Sequence, residues 1–123
     1  MTEKPFVTDK FFMFEEYQRA AMRTANKNAF SPDDLLLNAA MGMNGEAGEV
    51  IDHMKKALFQ GATIDRTKLI RETGDLLWYC ALMAEAINVS LAEIAQINIA
   101  KLRARYPDGF DADKSNHRAA GDT

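Results

Sequence analysis

Cysteine occurs once in this chain, at Cys80, so no disulfide can close within it and no metal site can rest on several thiolates. That usage suits a reducing, cytoplasmic setting. Long apolar runs are missing as well: the longest, Leu76 to Ala84, covers nine residues, against the roughly 20 that a membrane-spanning helix needs. With no apolar leader segment at the N-terminus either, neither a membrane partner nor secretion is expected. Excess positive charge is absent too. Lys and Arg number 15 against 18 Asp and Glu, for a formal charge of −3, whereas a nucleic-acid polymer demands a basic footprint along its phosphates. Val and Ile together number 10, against 19 Ala and 10 Leu. This balance favours helices over the β-branched faces from which sheets are built.

What is present is 47% hydrophobic and 27% charged residues in 123 positions. This is enough for one modest core, without room for separate cofactor and substrate domains. The chain reads as an all-α, four-helix bundle-like single domain, with peripheral tails at about 1–8 and 110–123. A first helix starts near Thr8 or Asp9 and runs to about Asn26, with Phe11, Phe14, Tyr17, Ala21 and Ala25 at steps of three and four. Ser31-Pro32-Asp33-Asp34 supplies a cap, a proline at the first helical position and acids in the first turn, so a second helix starts there. It runs to about Gln60, where Gly61 can take the left-handed cap. Asp65 caps a third helix that fades at Asn88. Ser90 and Glu93 have capping-box spacing for a fourth, which must stop at Tyr106-Pro107-Asp108-Gly109. The short polar tail after it is expected to be partly mobile unless a partner subunit holds it. Seven Met and seven Phe, beside the apolar third helix, offer more apolar surface than one small bundle hides, and a homodimer or homotetramer is expected.

The second helix carries Glu46 and Glu49 three residues apart, and the third carries Glu72 and Asp75 at the same spacing. Each pair projects from one face of its helix. At about 4 Å and an effective dielectric of about 20, each repulsive pair costs on the order of 4 kcal/mol, so two facing pairs call for something positive between them. Asp75 directly precedes the apolar run, which places it at the edge of the core rather than fully in water. Gly42, Glu46, Glu49, His53 and Lys56 form one stripe beside the apolar arc of Ala39, Met43, Val50, Met54 and Ala57. Gly42, Gly45 and Gly48 each cost about 1 kcal/mol relative to alanine in a helix and suggest a crowded place. Four carboxylates from two helices are hard oxygen ligands suited to Mg²⁺ or Mn²⁺, ions that recruit substrate phosphates. A ferritin-like iron site fits poorly, since it wants two Glu-x-x-His pairs and the chain has only His53 and His117. His53 reads as a supporting or packed residue.

Three segments, Gly45-Glu46-Ala47-Gly48-Glu49-Val50, Glu72-Thr73-Gly74-Asp75-Leu76-Leu77-Trp78-Tyr79 and Asn98 to Phe110, occur in that order, with 22 residues between Glu49 and Glu72. Together they resemble the MazG-type all-α nucleoside triphosphate pyrophosphohydrolases, with their E-x-x-E and E-x-x-D signature. The likeness covers about Leu35 to Arg118. One departure is Gly45, where many members have a further acid, and it bears on how many metal ions are held. The resemblance implies a nucleoside triphosphate substrate cleaved between the α and β phosphates, with Mg²⁺ at Glu46, Glu49, Glu72 and Asp75. Within that set, Glu46 or Glu49 is the candidate general base. It also implies sites near subunit contacts. Lys56, Asn98, Lys101 and Arg105 are the candidates for phosphate binding, and Gln18 and Tyr79 for the nucleotide. Tyr17, Met22, Asn28 and Phe30 are further candidates for a base pocket, and Trp78 reads as core. The alternatives are a phosphoribosyl-ATP pyrophosphohydrolase, a non-catalytic nucleotide-binding regulator and a purely structural helical oligomer.

Overall fold

The local signals that start and stop helices act where they stand in the chain. The structure, a computed structural model, describes residues 13–123; the expected helix start at Thr8 or Asp9, Phe11 and the tail at 1–8 lie outside the described residues. The described residues form helices α1 (Phe14–Met22), α2 (Pro32–Phe59), α3 (Arg66–Ala86), α4 (Leu91–Arg105) and α5 (Ala112–Asn116), with a 3₁₀ turn at Lys27–Ala29 and no strand among them. No single helix among them is long and apolar enough to cross a membrane.

Ser31 accepts the Asp34 N–H with its side chain, and Pro32 occupies the first turn of α2, where its missing N–H costs nothing. At the other end Gly61 takes φ 69°, and the N–H groups of Gln60 and Ala62 both reach the Lys56 carbonyl. Asp65 caps α3 by accepting from Thr67 and Lys68 N–H. Asn88, at φ 58°, closes α3 in a Schellman turn, with Val89 N–H on Ala84 O and Asn88 N–H on Glu85 O. The first helix ends at Met22 rather than near Asn26. The Ala21 carbonyl, which would accept from Ala25 N–H if the helix continued, accepts instead from Thr24 N–H, Thr24 Oγ1 and Trp78 Nε1.

The chain falls into two compact units, Met1–Leu91 and Ala92–Thr123. In the first, α2 and α3 form a long hairpin. Two contacts fix its direction: Tyr79 lies against Gly42, and His53 Nε2 accepts the Asp65 N–H at 2.9 Å. As α2 advances from 42 to 53, its partner on α3 retreats from 79 to 65, so the helices are antiparallel. Helix α1 is fastened to α3 by Trp78 Nε1, which donates to Ala21 O at 3.1 Å and Thr24 Oγ1 at 2.9 Å. Trp78 is thus half-buried and hydrogen-bonded rather than enclosed in the core. Among the described residues of this unit, the buried apolar ones are Met22, Ala39, Ala81, Leu82, Ala84 and Leu91, a narrow seam for so apolar a chain. The outer side of α2 leaves Leu37, Met41, Ile51 and Leu58 exposed at steps of three and four or their sums.

In the second unit α4 stops before Pro107, and Gly109 turns the chain at φ 93°. The tail carries structure of its own beyond the four expected helices. Asp111 accepts the Lys114 N–H and starts a fifth helix, and the Arg105 guanidinium grips Asp122 through Nε at 2.8 Å and Nη2 at 2.7 Å.

Candidate functional site

The register of the α2–α3 hairpin arranges the four acids. From the Gly42–Tyr79 contact, four residues along α2 and four back along α3 are each about 6 Å of helix, and they bring Glu46 level with Asp75. Three more bring Glu49 level with Glu72. The electrostatics agree: desolvation, and then the charges of Asp75, Glu49 and Glu72, push the Glu46 carboxyl above its ordinary value. The hairpin therefore brings the two acidic pairs to one stretch of the seam.

Their surroundings differ. Glu72 is the buried acid of the four, at 8% exposure, whereas Asp75 is exposed, contrary to the expectation from the apolar run that follows it. Lys68, one turn earlier on α3, stands 3.8 Å from Glu72 Oε1. Glu72 Oε2 is buried with no hydrogen-bond partner. A buried carboxylate oxygen without a donor carries a full desolvation cost, and a hard cation is the natural partner for it. The donor set thus fits a divalent ion chemically. No three of the described His, Cys, Asp and Glu side chains already surround one point as a coordination sphere. To hold an ion, the four carboxylates would have to draw closer together.

The glycines of this stretch divide. A Cβ at Gly42 would overlap the Tyr79 ring, but Gly45 and Gly48 have nothing within 4 Å, so only the first marks a crowded place. Tyr79 is seated on that glycine and packs edge-on against Trp78 at 5.0 Å. His53, 6% exposed, holds the backbone of Asp65 at the start of α3 and so supports the hairpin turn. Lys56 pairs with Asp52 at 2.8 Å, and that hydrogen bond and charge raise its ammonium pKa. Lys55 shares the same carboxylate at 3.3 Å. Gln18 is buried, its carbonyl accepting Leu91 N–H at 2.6 Å and its amide donating to Glu85 at 3.2 Å. Both ends of that side chain are engaged within the fold.

Tyr17, the neighbour of Gln18 in α1, feels the charge of one of the acids. Burial, followed by the charges of Cys80 and Asp75, pushes its phenol pKa up. With Met13, Phe14 and Leu77 it lines a hollow of about 150 Å³. In the second unit Asn98 and Lys101 are exposed on α4, and Arg105 is paired with Asp122. The sequence reading passed over Lys68 and Asp122. Lys68 was open to detection, since it precedes Glu72 by one helical turn, whereas Asp122 lies in a tail without periodicity.

The sequence model of the MazG nucleotide pyrophosphohydrolase domain matches residues 36–110, a span that includes all four acids and the whole of α4. A phage relative, the Gene 37 protein of Mycobacterium phage L5, is 34% identical over 109 residues, covering 83% of this chain and 96% of the relative. No solved structure matches significantly.

Proposed function

The chain belongs to the MazG nucleotide pyrophosphohydrolase family, and on that premise we propose that it hydrolyses a nucleoside triphosphate between the α and β phosphates, using Mg²⁺ or Mn²⁺ held by Glu46, Glu49, Glu72 and Asp75. The observation that carries this reading is the buried, unpartnered Glu72 Oε2 beside three further carboxylates on two antiparallel helices. A bound divalent ion would supply positive charge and Lewis acidity at the phosphate oxygens.

The chain's own residues supply the proton acceptor and the binding contacts. Glu46 and Glu49 are the candidates for the proton acceptor, whichever of them keeps a carboxylate oxygen that the ion does not occupy. As the water oxygen bonds to the α-phosphorus, its proton passes to the carboxylate. The bond to the α–β bridging oxygen breaks, and its electron pair leaves with pyrophosphate. Lys56, Asn98, Lys101 and Arg105 are the groups we assign to phosphate oxygens. Tyr79, seated on Gly42 one turn from Asp75, is assigned to the wall of the nucleotide site. The hollow beside Tyr17 is the better candidate for the base than Gln18, whose amide is engaged elsewhere. The exposed apolar stripe on α2 supports assembly as a homodimer or homotetramer.

A panel of dNTPs and NTPs, with phosphoribosyl-ATP alongside, tests the reaction. With Mg²⁺ present, the products expected from the preferred nucleotide are monophosphate and pyrophosphate in equal amounts. Orthophosphate and diphosphate as the only products would contradict the assignment of the cleaved bond.

A further inference from the structure

The second unit contains a cavity of about 620 Å³, lined among others by Lys101, Arg105, Lys114, His117 and Asp122. That volume lies in the range that holds small-molecule ligands. Three permanent cations face one acid there, and neither Lys101 nor Lys114 forms an ion pair among the described residues. The acid is carried on a tight turn, with Asp122 N–H on Ala119 O at 3.1 Å and Gly121 at φ 83°. Its carboxylate takes the Arg105 fork with both oxygens, at 2.7 and 2.8 Å. The hydrogen bond from Arg105, then the charges of Arg105, Arg118 and Lys101, lower the Asp122 pKa against the opposing effect of desolvation. A guanidinium receives a phosphate group in the same two-pronged way.

We propose that the turn at Ala119–Asp122 is an anion-displaceable latch: Asp122 occupies Arg105 until a polyphosphate group enters the cavity beside Lys101, Lys114 and His117 and takes its place. Two features make the exchange reversible. The carboxylate satisfies only one of the cations that line the cavity, so an anion of higher charge gains contacts that Asp122 cannot make. The glycine at position 121 lets the turn open without disturbing α4, which ends at Arg105. The latch rests on the phosphate-binding role proposed above for Lys101 and Arg105 and on none of the four metal-site carboxylates, so the two readings can fail separately.

The test is calorimetric titration of metal-free, full-length protein with tripolyphosphate. A latch closed about nine-tenths of the time lowers apparent affinity about tenfold, so Asp122→Asn is expected to bind roughly tenfold tighter than wild type. Combining Asp122→Asn with Arg105→Gln should abolish that gain. Lys114→Gln leaves the Arg105–Asp122 pair in place and should bind more weakly than wild type. Unchanged or weaker binding by a folded Asp122→Asn protein would overturn the latch. So would wild-type affinity in Lys114→Gln, a result that does not depend on whether the Asp122 variant folds. Tighter binding by Asp122→Asn in a protein that hydrolyses no nucleotide would retain the latch and sink the catalytic reading. Hydrolysis with unchanged Asp122→Asn affinity would do the reverse.

Discussion

Substitution of Gly42 by alanine probes the contact that sets the register of the acids. In an open helical position, Gly→Ala stabilises by about 0.5–1 kcal/mol, because glycine loses more backbone freedom on folding. Gly45 on α2 and Gly74 on α3 are such positions, with nothing within 4 Å of the added carbon. At Gly42 the same carbon would overlap three atoms of the Tyr79 ring. Relieving that overlap means turning the ring out or parting α2 from α3, and overpacking of this kind costs about 1–3 kcal/mol. The propensity gain offsets part of this, which leaves Gly42→Ala destabilised by roughly 1–2 kcal/mol while Gly45→Ala and Gly74→Ala gain. Urea unfolding at one fixed protein concentration measures all three, and the expected gap between Gly42→Ala and the other two is about 2–3 kcal/mol. Truncating Tyr79 to alanine in the Gly42→Ala protein should cost less than the same truncation in wild type, since the clash disappears with the ring. If Gly42→Ala were as stable as Gly45→Ala, Tyr79 would not lie against α2 there, and the pairing of Glu46 with Asp75 would lose its anchor.

Further outcomes follow from other parts of the first unit. His53→Ala removes the acceptor for Asp65 N–H and should destabilise by about 1–3 kcal/mol in urea unfolding; an unaltered midpoint would show that the bond supports nothing. The folded-state pKa of Glu46 is raised above 4.5, so its ionised form opposes folding, a penalty absent below pH 4.5 and fully present above the folded-state value. In EDTA, Glu46→Gln should therefore raise the melting temperature at pH 7.5 and not at pH 4, and a loss at pH 7.5 would contradict the repulsion. Burial pushes the Cys80 thiol above 9.0, so its alkylation at pH 7.5 should be slower in folded protein than in urea, and equal rates would place it in open solvent.

Much of this arrangement was legible because it is local. Ser31 with Pro32, Asp65, Gly61 and Pro107 act within a few residues of themselves, and the structure uses each as its chemistry dictates. The spacing of Glu46 with Glu49 and of Glu72 with Asp75 places each pair on one helix face, and the antiparallel register anchored by Tyr79 on Gly42 then brings the pairs level. What the sequence hid depends on partners distant in the chain. Periodicity gave no means of choosing Glu72 over Asp75 as the buried acid, since that follows from the roll of α3 against α2. The engagement of Gln18 by Leu91 and Glu85 spans more than 60 residues. The close of α1 at Met22 reflects Trp78, which reaches back to the Ala21 carbonyl. Asp111 is a helix cap by residue type, but α5 is five residues long, too short to show a hydrophobic period. Gly45 and Gly48 misled because an added cost in propensity says nothing about which glycine another side chain covers.

The central claim is that the four carboxylates form one hydrolytic centre, and pyrophosphate release from the preferred nucleotide by wild type, Glu49→Ala and Asp75→Ala at saturating Mg²⁺ tests it most directly. Each substitution removes an exposed acid and relieves repulsion, so both variants should fold at least as well as wild type by circular dichroism, while their turnover falls by about two orders of magnitude or more. Near-normal pyrophosphate release from both folded variants would contradict the assignment.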